Sequence, residues 1–166
     1  MKSLRNSLQN KKDKNGKETE KMAESMQGLK RSHRCTEVSS ANIGEVVTVM
    51  GWVQKRRNLG SLIFVDLRDR SGLLQIVFDE NDVKAEGFAK AGTLRSEYVI
   101  AVEGKVTKRE GAVNENLATG EIEVRALSLR ILSESETPPF PIEENISTKE
   151  ELRLKYRCLD LRRPDI

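Results

Sequence analysis

The feature that most constrains this chain is a run of apolar stretches, joined by short links, in which apolar and polar residues alternate. Residues 61–69 read SLIFVDLRD and residues 73–79 read LLQIVFD, with Arg-Ser-Gly between them. Alternation is typical of a strand with one buried face, and a short link with a Ser-Gly step favours an antiparallel turn. Val46–Val53 precedes them as a first strand that leads into a basic turn at residues 55–60. The sequence therefore predicts an antiparallel meander of three strands.

A helix and two more strands follow the meander. Residues 81–91 predict a short helix with Asn81 or Asp82 as its cap. Residues 98–108 and 121–132 predict two strands separated by a polar loop. This order of elements is expected of the OB-fold, a small five-stranded Greek-key barrel. The predicted fold class is therefore all-β: a five-stranded OB-fold barrel with a short helix between strands three and four, plus a C-terminal hinge and helix.

Composition divides the chain around this barrel. Residues 1–30 carry 8 Lys or Arg against 4 Asp or Glu, with almost no apolar periodicity, which predicts a disordered basic tail. Residues 31–133 form the predicted barrel domain. Residues 134–147 contain the run Thr-Pro-Pro-Phe-Pro, which predicts a stiff hinge. Ser147-Thr148-Lys149-Glu150 predicts a capping box that opens a helix over residues 148–166, for which the sequence offers no packing partner.

Several function classes are disfavoured by what the sequence lacks. Residues 31–166 carry 21 basic against 22 acidic side chains, so a polybasic coat for nucleic acid is not expected. No stretch is long and apolar enough to span a bilayer, and the N-terminus has no secretory pattern. Cys35 and Cys158 are far apart and His33 is the only histidine, which leaves little for a metal site. We therefore expect a cytoplasmic segment with no catalytic residue, metal or cofactor of its own.

Alternation within the second and third strands predicts a binding surface. The inward set of the second strand is Ile63, Val65 and Leu67, and the outward set of the third is Gln75, Val77 and Asp79. Phe64 and Gln75 then share the outer face of neighbouring strands. An exposed aromatic ring offers a stacking platform for a base, and a Gln offers a donor and an acceptor to a base edge. The pattern is equally compatible with a Phe64 that a loop or another domain covers.

Further candidates flank this face. Lys55-Arg56-Arg57, at the predicted turn, would position phosphates, although a basic triplet is also typical of a solvated turn. Arg109 and Asn114 lie in or beside the loop before the fifth strand, which in an OB-fold borders the same outer face. Glu123 alternates with apolar neighbours and should face outward. There it would either accept a hydrogen bond from a base amino or imino group or be an ordinary surface residue.

Five segments of the chain form a recognisable set. They are GWV at 51–53, GSLIFVDLRDRSG at 60–72, LLQIVFD at 73–79, NLATGEIEV at 116–124 and LRLKYRCLDLRRP at 152–164. Together they resemble the N-terminal part of bacterial aspartyl-tRNA synthetases, which are class II enzymes. Asparaginyl and lysyl synthetases share this domain, but the run RRNLGSLIFVDLRDR with TGEIEV resembles the aspartyl branch. The resemblance covers roughly residues 31–166 and implies a barrel that reads the anticodon of aspartate tRNA.

The resemblance also implies roles for individual residues. Phe64 matches the aromatic that stacks on the central uridine of the anticodon, and Gln75 matches the glutamine that hydrogen-bonds to the same region. Arg57 matches a basic anticodon contact, and Glu123 matches the glutamate near the first anticodon base. The complete implied RNA-binding set is Arg57, Phe64, Gln75, Arg109, Asn114 and Glu123.

The chain also departs from the family's pattern. Val77 stands where some members carry a second aromatic, and residues 1–21 match nothing in the family. The family's catalytic domain would begin after Ile166, so the resemblance implies a chain truncated before it. The intact enzyme would be a homodimer that aspartylates tRNA with ATP and Mg²⁺, whereas this chain alone should be inactive and monomeric. Two alternatives stay open: a free-standing OB-fold protein that binds single-stranded nucleic acid, and an OB-type protein-interaction module.

Overall fold

A closed barrel of five strands forms the centre of the molecule in the computed structural model, which describes residues 23–166. The strands are β1 (Val46–Asn58), β2 (Leu62–Arg68), β3 (Leu73–Asp79), β4 (Val99–Lys108) and β5 (Ile122–Ser133). Helix α1 (Ala85–Thr93) lies between β3 and β4, and two short helices, α2 (Glu150–Lys155) and α3 (Arg157–Asp160), follow the barrel.

The strands pair in the order β1-β2-β3-β5-β4, and β4 returns to pair with β1. All neighbouring strands are antiparallel except β3 and β5, which run parallel where Val77 lies beside Arg125. This Greek-key order confirms the predicted five-stranded OB-fold barrel.

Alternate residues of the strands fill the barrel interior. Ile63, Val65 and Leu67 of β2 are buried, as the alternation predicts. Among the fully buried side chains of the described residues, that of Phe78 in β3 is the largest. Cys35, in a short 3-10 turn before β1, joins the same core. Burial of these apolar side chains is the main favourable contribution to folding.

Strand β1 is longer than predicted, because the basic residues 55–57 lie in the strand and not in a turn. The pairing of β1 with β2 shifts its register between Val53 and Lys55, after which Arg57 lies opposite Phe64. A bulge of this kind re-aims the following side chains while pairing continues. The turn itself is confined to residues 59–61, where the Leu59 amide donates to the Leu62 carbonyl.

Helix α1 begins at Ala85, so the predicted start at Asn81 or Asp82 is wrong. The Asn81 backbone and side-chain nitrogens both donate to Asp79 Oδ1, at 2.9 and 3.0 Å. Asp82 accepts from the Arg125 guanidinium at 2.8 Å. Both residues therefore belong to the turn that leaves β3, and their side chains are engaged there instead of capping the helix.

The segment after the barrel packs against it, whereas the sequence predicts a hinge and an unpartnered helix. Phe140 and Ile142 are each only 3% exposed, and the Arg68 guanidinium donates to the Ile142 carbonyl at 3.3 Å. The predicted capping box is also wrong, because Lys149 precedes α2 and its side chain has no acceptor atom. The predicted helix is broken at Tyr156, whose ψ of 47° is outside the helical range.

Two buried carboxylates fasten the C-terminal segment. Glu97 accepts from Arg68 of β2 at 2.8 Å and from Arg162 at 2.7 Å, which links the barrel to the end of the chain. Asp160 of α3 is fully buried. Its three cationic partners are Arg153, Arg157 and Arg163, at 2.8, 2.6 and 3.0 Å. The hydrogen bonds and charges of Arg153 and Arg163 lower the pKa of Asp160 to about 2.

Residues 23–30, which the sequence assigns to the tail, contact the barrel. The Glu24 amide donates to the Ile131 carbonyl, and the Ile131 amide donates to the Glu24 carboxylate, both at 2.7 Å. Lys90 of α1 completes this contact with an ion pair to Glu24 at 2.7 Å. The prediction of a disordered tail falls otherwise on residues 1–22, which lie outside the described residues.

Candidate nucleic-acid interface

A pocket of about 210 Å³ opens on the outer face of the barrel and is bounded by the β4–β5 loop. It brings together five of the six predicted RNA-binding residues, although each lies on, or directly after, a different one of the five strands. Its lining consists of Arg57, Leu59, Leu62, Phe64, Gln75, Val77, Arg109, Glu123 and residues 110–112. We call it the barrel pocket.

The apolar part of the barrel pocket surrounds Phe64. The Phe64 side chain is half-buried and lies opposite Val77 in the β2–β3 register. Val77, predicted to face outward, is only 2% exposed because Phe64 and the neighbouring strands cover it. Leu59, at the β1–β2 turn, is exposed and extends the apolar rim. This surface presents a partly accessible aromatic ring on an apolar floor.

Gln75 connects the polar groups of the barrel pocket. Its Oε1 atom accepts from Arg109 Nη2 at 2.7 Å and from Arg57 Nη2 at 3.3 Å. Its Nε2 atom donates to Glu123 Oε2 at 2.9 Å. Gln75 does face outward, as predicted, but it is only 5% exposed because these three partners cover it. The amide is therefore held in one orientation by two donors and one acceptor.

Glu123 is buried, contrary to the expectation of a surface residue. Only 2% of its surface is exposed, although it points away from the barrel core into the barrel pocket. This burial raises the pKa of the Glu123 carboxyl, whereas the hydrogen bond from Gln75 acts in the opposite direction. The nearby charge of Glu110 raises the pKa further. A carboxylate in this position is costly to leave unpaired, which favours a donor group as its partner.

Arg57 lies over the aromatic ring. Its guanidinium carbon is 5.7 Å from the centre of the Phe64 ring, within the range of a cation–π contact. The same guanidinium is 3.3 Å from Asp66 Oδ1. Its neighbour Arg56 points elsewhere and donates to the Gly92 carbonyl in the last turn of α1. Of the predicted phosphate-positioning triplet, the structure therefore brings Arg57 into the barrel pocket.

The loop between β4 and β5 forms one wall of the barrel pocket. Arg109 anchors it with its backbone amide on the Glu121 carbonyl at 3.0 Å. Asn114 lies outside the lining, and its side-chain oxygen accepts from the Asn116 amide at 3.1 Å. A Cβ atom at Gly120 would overlap the Asn114 carbonyl, so this close approach requires glycine. The role of Asn114 in RNA binding stays a prediction, while its role within the loop is evident.

Arg125 of β5 also acts at the edge of the site, although it is not among the residues predicted from the sequence. Its guanidinium forms ion pairs with Asp79 at 2.6 Å, with Asp82 at 2.8 Å and with Glu110 at 2.8 Å. These contacts tie the loop wall of the barrel pocket to the turn after β3. Strand alternation places Arg125 on the same face as Glu123, which is the signal that would have identified it.

Metal-binding clusters and membrane-spanning helices are both absent from the described residues. In residues 23–166, no group of three or more His, Cys, Asp and Glu side chains is arranged to hold a metal ion. Within the same range, no helix is long and apolar enough to cross a membrane. The ring, amide and guanidinium groups of the barrel pocket are suited to holding an aromatic, hydrogen-bonding, anionic ligand.

Comparison with protein families decides the relationship. Residues 47–132, just over half of the chain, match the tRNA anti-codon family, described as an OB-fold nucleic acid binding domain. The chain belongs to this family. The matched range begins in β1 and ends in β5, so the OB-fold domain coincides with the closed barrel.

Curated relatives extend the similarity beyond the barrel. The chain is 79% identical over 145 residues to the aspartate–tRNA ligase of Agathobacter rectalis. It is 74% identical over 145 residues to the aspartate–tRNA(Asp/Asn) ligase of Lachnoclostridium phytofermentans. Each match covers 87% of this chain but only 24% of the relative. The chain thus spans about a quarter of the length of the curated relatives it matches.

Solved structures share the same architecture. The asparaginyl-tRNA synthetase of Pyrococcus horikoshii, complexed with asparaginyl-adenylate, matches with a TM-score of 0.67 and 34% identity. That match covers 82% of this chain and 30% of the synthetase. The aspartyl-tRNA synthetase of Entamoeba histolytica matches with a TM-score of 0.71 over 82% of this chain and 33% of that one. At 22% identity, the second likeness shows the fold alone.

Proposed function

We propose that the barrel pocket binds the anticodon loop of aspartate tRNA and that the chain acts as the N-terminal part of an aspartate–tRNA ligase. The observation that carries this proposal is the convergence of Phe64, Gln75 and Glu123 with two guanidinium groups in one pocket. The membership of the chain in a family of nucleic-acid-binding OB-folds supports it. The names of the relatives supply the tRNA and the amino acid.

Each group in the barrel pocket has a distinct task in this proposal. The Phe64 ring stacks on an unpaired base, a contact worth about 1–3 kcal/mol. The Gln75 amide and the Glu123 carboxylate meet the edges of bases, where amide and carboxylate groups discriminate between donors and acceptors. Arg57 and Arg109 position the phosphates of the loop.

The polar groups of the free barrel pocket are already paired with one another, which bears on selectivity. Gln75 is bonded to Arg57, Arg109 and Glu123 before any ligand arrives. Because the two lone pairs of Gln75 Oε1 are already engaged, a ligand that donates to this oxygen must replace one of the two guanidinium groups. An incorrect base leaves a buried donor or acceptor without a partner, which costs about 1–3 kcal/mol.

The reaction itself belongs in our proposal to the longer protein. The relatives are ligases, and aspartylation of tRNA would use ATP and Mg²⁺ bound by sequence outside this chain. We assign recognition of tRNA to residues 23–166, because the barrel pocket lies within them. In the same proposal, the whole protein is a cytoplasmic homodimer, and this chain alone is monomeric and inactive.

Fluorescence anisotropy of labelled anticodon stem-loops tests this function. One hairpin carries the anticodon G-U-C, a second has the central U replaced by C, and a third carries G-U-U for asparagine. Titration at physiological salt should show tighter binding to G-U-C than to the hairpin without the central U. The G-U-U arm separates a pocket restricted to aspartate tRNA from one that accepts asparagine tRNA as well.

The same titration distinguishes the competing functions. Equal and strongly salt-dependent binding to all three hairpins would indicate general contacts with phosphates and would contradict anticodon recognition. A free-standing protein for single-stranded nucleic acid would bind an unstructured oligonucleotide as tightly as the hairpin. A protein-interaction module would bind none of these RNAs with useful affinity.

A further inference from the structure

The guanidinium of Arg57 occupies the space above the ring that a stacking base would use. It is held there by three contacts of the free protein. The first is the Phe64 ring at 5.7 Å, the second is Asp66 Oδ1 at 3.3 Å, and the third is Gln75 Oε1 at 3.3 Å. Phe64 is partly accessible, and Arg57 covers the face of the ring that it overlies.

We propose that Asp66 is a positioning residue that holds Arg57 over the Phe64 ring until RNA displaces it. This inference rests on the proposed function, because it concerns how a base reaches the same ring. Asp66 lies on the outer face of β2, two residues after Phe64. The strand alternation that exposes the Phe64 ring therefore also places the Asp66 carboxylate within reach of the Arg57 guanidinium above the ring.

The ion pair between Asp66 and Arg57 affects RNA binding because Arg57 exchanges one anionic partner for another. In the free protein the Asp66 carboxylate neutralises the Arg57 guanidinium, and the two side chains are 27% and 44% exposed. An arriving phosphate offers Arg57 a second anionic partner, so the guanidinium can leave Asp66 and uncover the ring. The ion pair with Asp66 therefore opposes binding, and its loss should speed association with RNA.

Asp66→Asn tests this inference, because the side chain keeps its size and loses its charge. Stopped-flow association of the G-U-C hairpin should be about two- to fivefold faster than for the unaltered chain, the range expected from one exposed ion pair. Asp66→Glu restores the carboxylate and should return the rate toward the original value. Thermal melts of each variant show that the comparison is between folded proteins.

A double-mutant cycle separates positioning from a general effect of charge. Removing any acidic group near RNA reduces repulsion of phosphates, whether or not that group contacts Arg57. If Asp66 acts through Arg57, the gain from Asp66→Asn should disappear in an Arg57→Ala background. Glu121→Gln is the matched control, because Glu121 is exposed near the same loop and its gain should be equal in both backgrounds.

Each outcome is decisive. An Asp66→Asn rate that is unchanged or slower would overturn the inference, as would a gain that persists without Arg57. The proposed function has its own criterion, which is the preference of the unaltered chain for the G-U-C hairpin. If the unaltered chain shows no such preference, anticodon recognition is refuted. If only the Asp66 cycle fails, anticodon recognition remains supported, with the base stacked on the other face of the Phe64 ring.

Discussion

The Gln75 side chain donates to the Glu123 carboxylate across 2.9 Å, joining β3 to β5 at the floor of the barrel pocket. The two residues are 48 positions apart in the sequence and are both nearly inaccessible to solvent. Because these strands are parallel neighbours, the Greek-key crossover places an amide from one beside a carboxylate from the other. The recognition chemistry we propose therefore depends on the barrel topology and not on a local motif.

The Phe64 ring should contribute a large part of the RNA affinity. Phe64→Ala removes the stacking surface and should weaken binding of the G-U-C hairpin by about 1–3 kcal/mol, which is roughly 5- to 150-fold. Leu127→Ala is a suitable control, since Leu127 is an exposed apolar residue of β5 outside the barrel pocket. Anisotropy titrations that show equal losses for both variants would argue against stacking on Phe64.

Arg109 and Asn114, both implied by resemblance, should behave differently. Arg109 lines the barrel pocket and bonds to Gln75, whereas Asn114 structures the adjoining loop. Arg109→Ala should weaken RNA binding and reduce the slope of log affinity against log salt by about 1 if it contacts a phosphate. Asn114→Ala should leave that slope unchanged. A larger change in slope for Asn114→Ala would place a phosphate at the loop instead.

The sequence was sufficient to predict the barrel because strand alternation and turn residues are local signals. The same alternation correctly placed Phe64 and Gln75 on the outer face. It could not predict that Gln75 and Glu123 are buried, since Gln75 contacts Arg57, Arg109 and Glu123, which are distant from it in the sequence. Burial on the outer face depends on tertiary packing, whereas alternation predicts only the face on which a residue lies.

The length of β1 and the packing of the C-terminal segment are also features that local sequence patterns do not predict. A bulge near Gln54 keeps the basic residues 55–57 in the strand, and nothing in their composition distinguishes this from a turn. The buried contacts of Phe140 depend on a surface formed by other parts of the chain. Both features require knowledge of which elements become neighbours, and the sequence pattern contains no such information.

Glu123 should make stability depend on pH in the weakly acidic range. Its carboxyl pKa is raised by burial, so the charged form is disfavoured in the folded state. The resulting cost is present at neutral pH and is lost as the pH falls through the raised pKa toward the ordinary value of 4.5. Glu123→Gln should therefore melt at a higher temperature than the unaltered chain at pH 7, with the difference closing near pH 4.5. A difference that widens on acidification would contradict the raised pKa.

Asp160 should have the opposite dependence on pH. Its pKa is lowered from 3.8 to about 2 by the surrounding arginines, so its contribution to stability is complete above the ordinary pKa. Asp160→Asn should be less stable than the unaltered chain at neutral pH. The difference should shrink as the pH falls from about 4 to about 2, measured by urea unfolding at each pH. A difference that is constant over this range would mean that the charge of Asp160 is not what matters.

Phe78 should be essential to the barrel core. Phe78→Ala leaves a cavity in the interior and should lower the free energy of unfolding by about 3–5 kcal/mol. Phe78→Leu keeps most of the apolar volume and should cost less. Denaturant unfolding compares the two variants directly. Equal, small losses would indicate that the core closes around the missing ring.

The central claim is that an anticodon base stacks on Phe64, and ¹⁹F NMR tests it most directly. The G-U-C hairpin is made with 5-fluorouridine at the central position, which places the fluorine at C5 of the base, away from its Watson–Crick hydrogen-bonding edge. Saturation with the unaltered chain should shift the fluorine resonance through the ring current of Phe64, and saturation with Phe64→Leu should abolish most of that shift. A resonance that moves equally with both proteins, or with neither, would contradict stacking on Phe64.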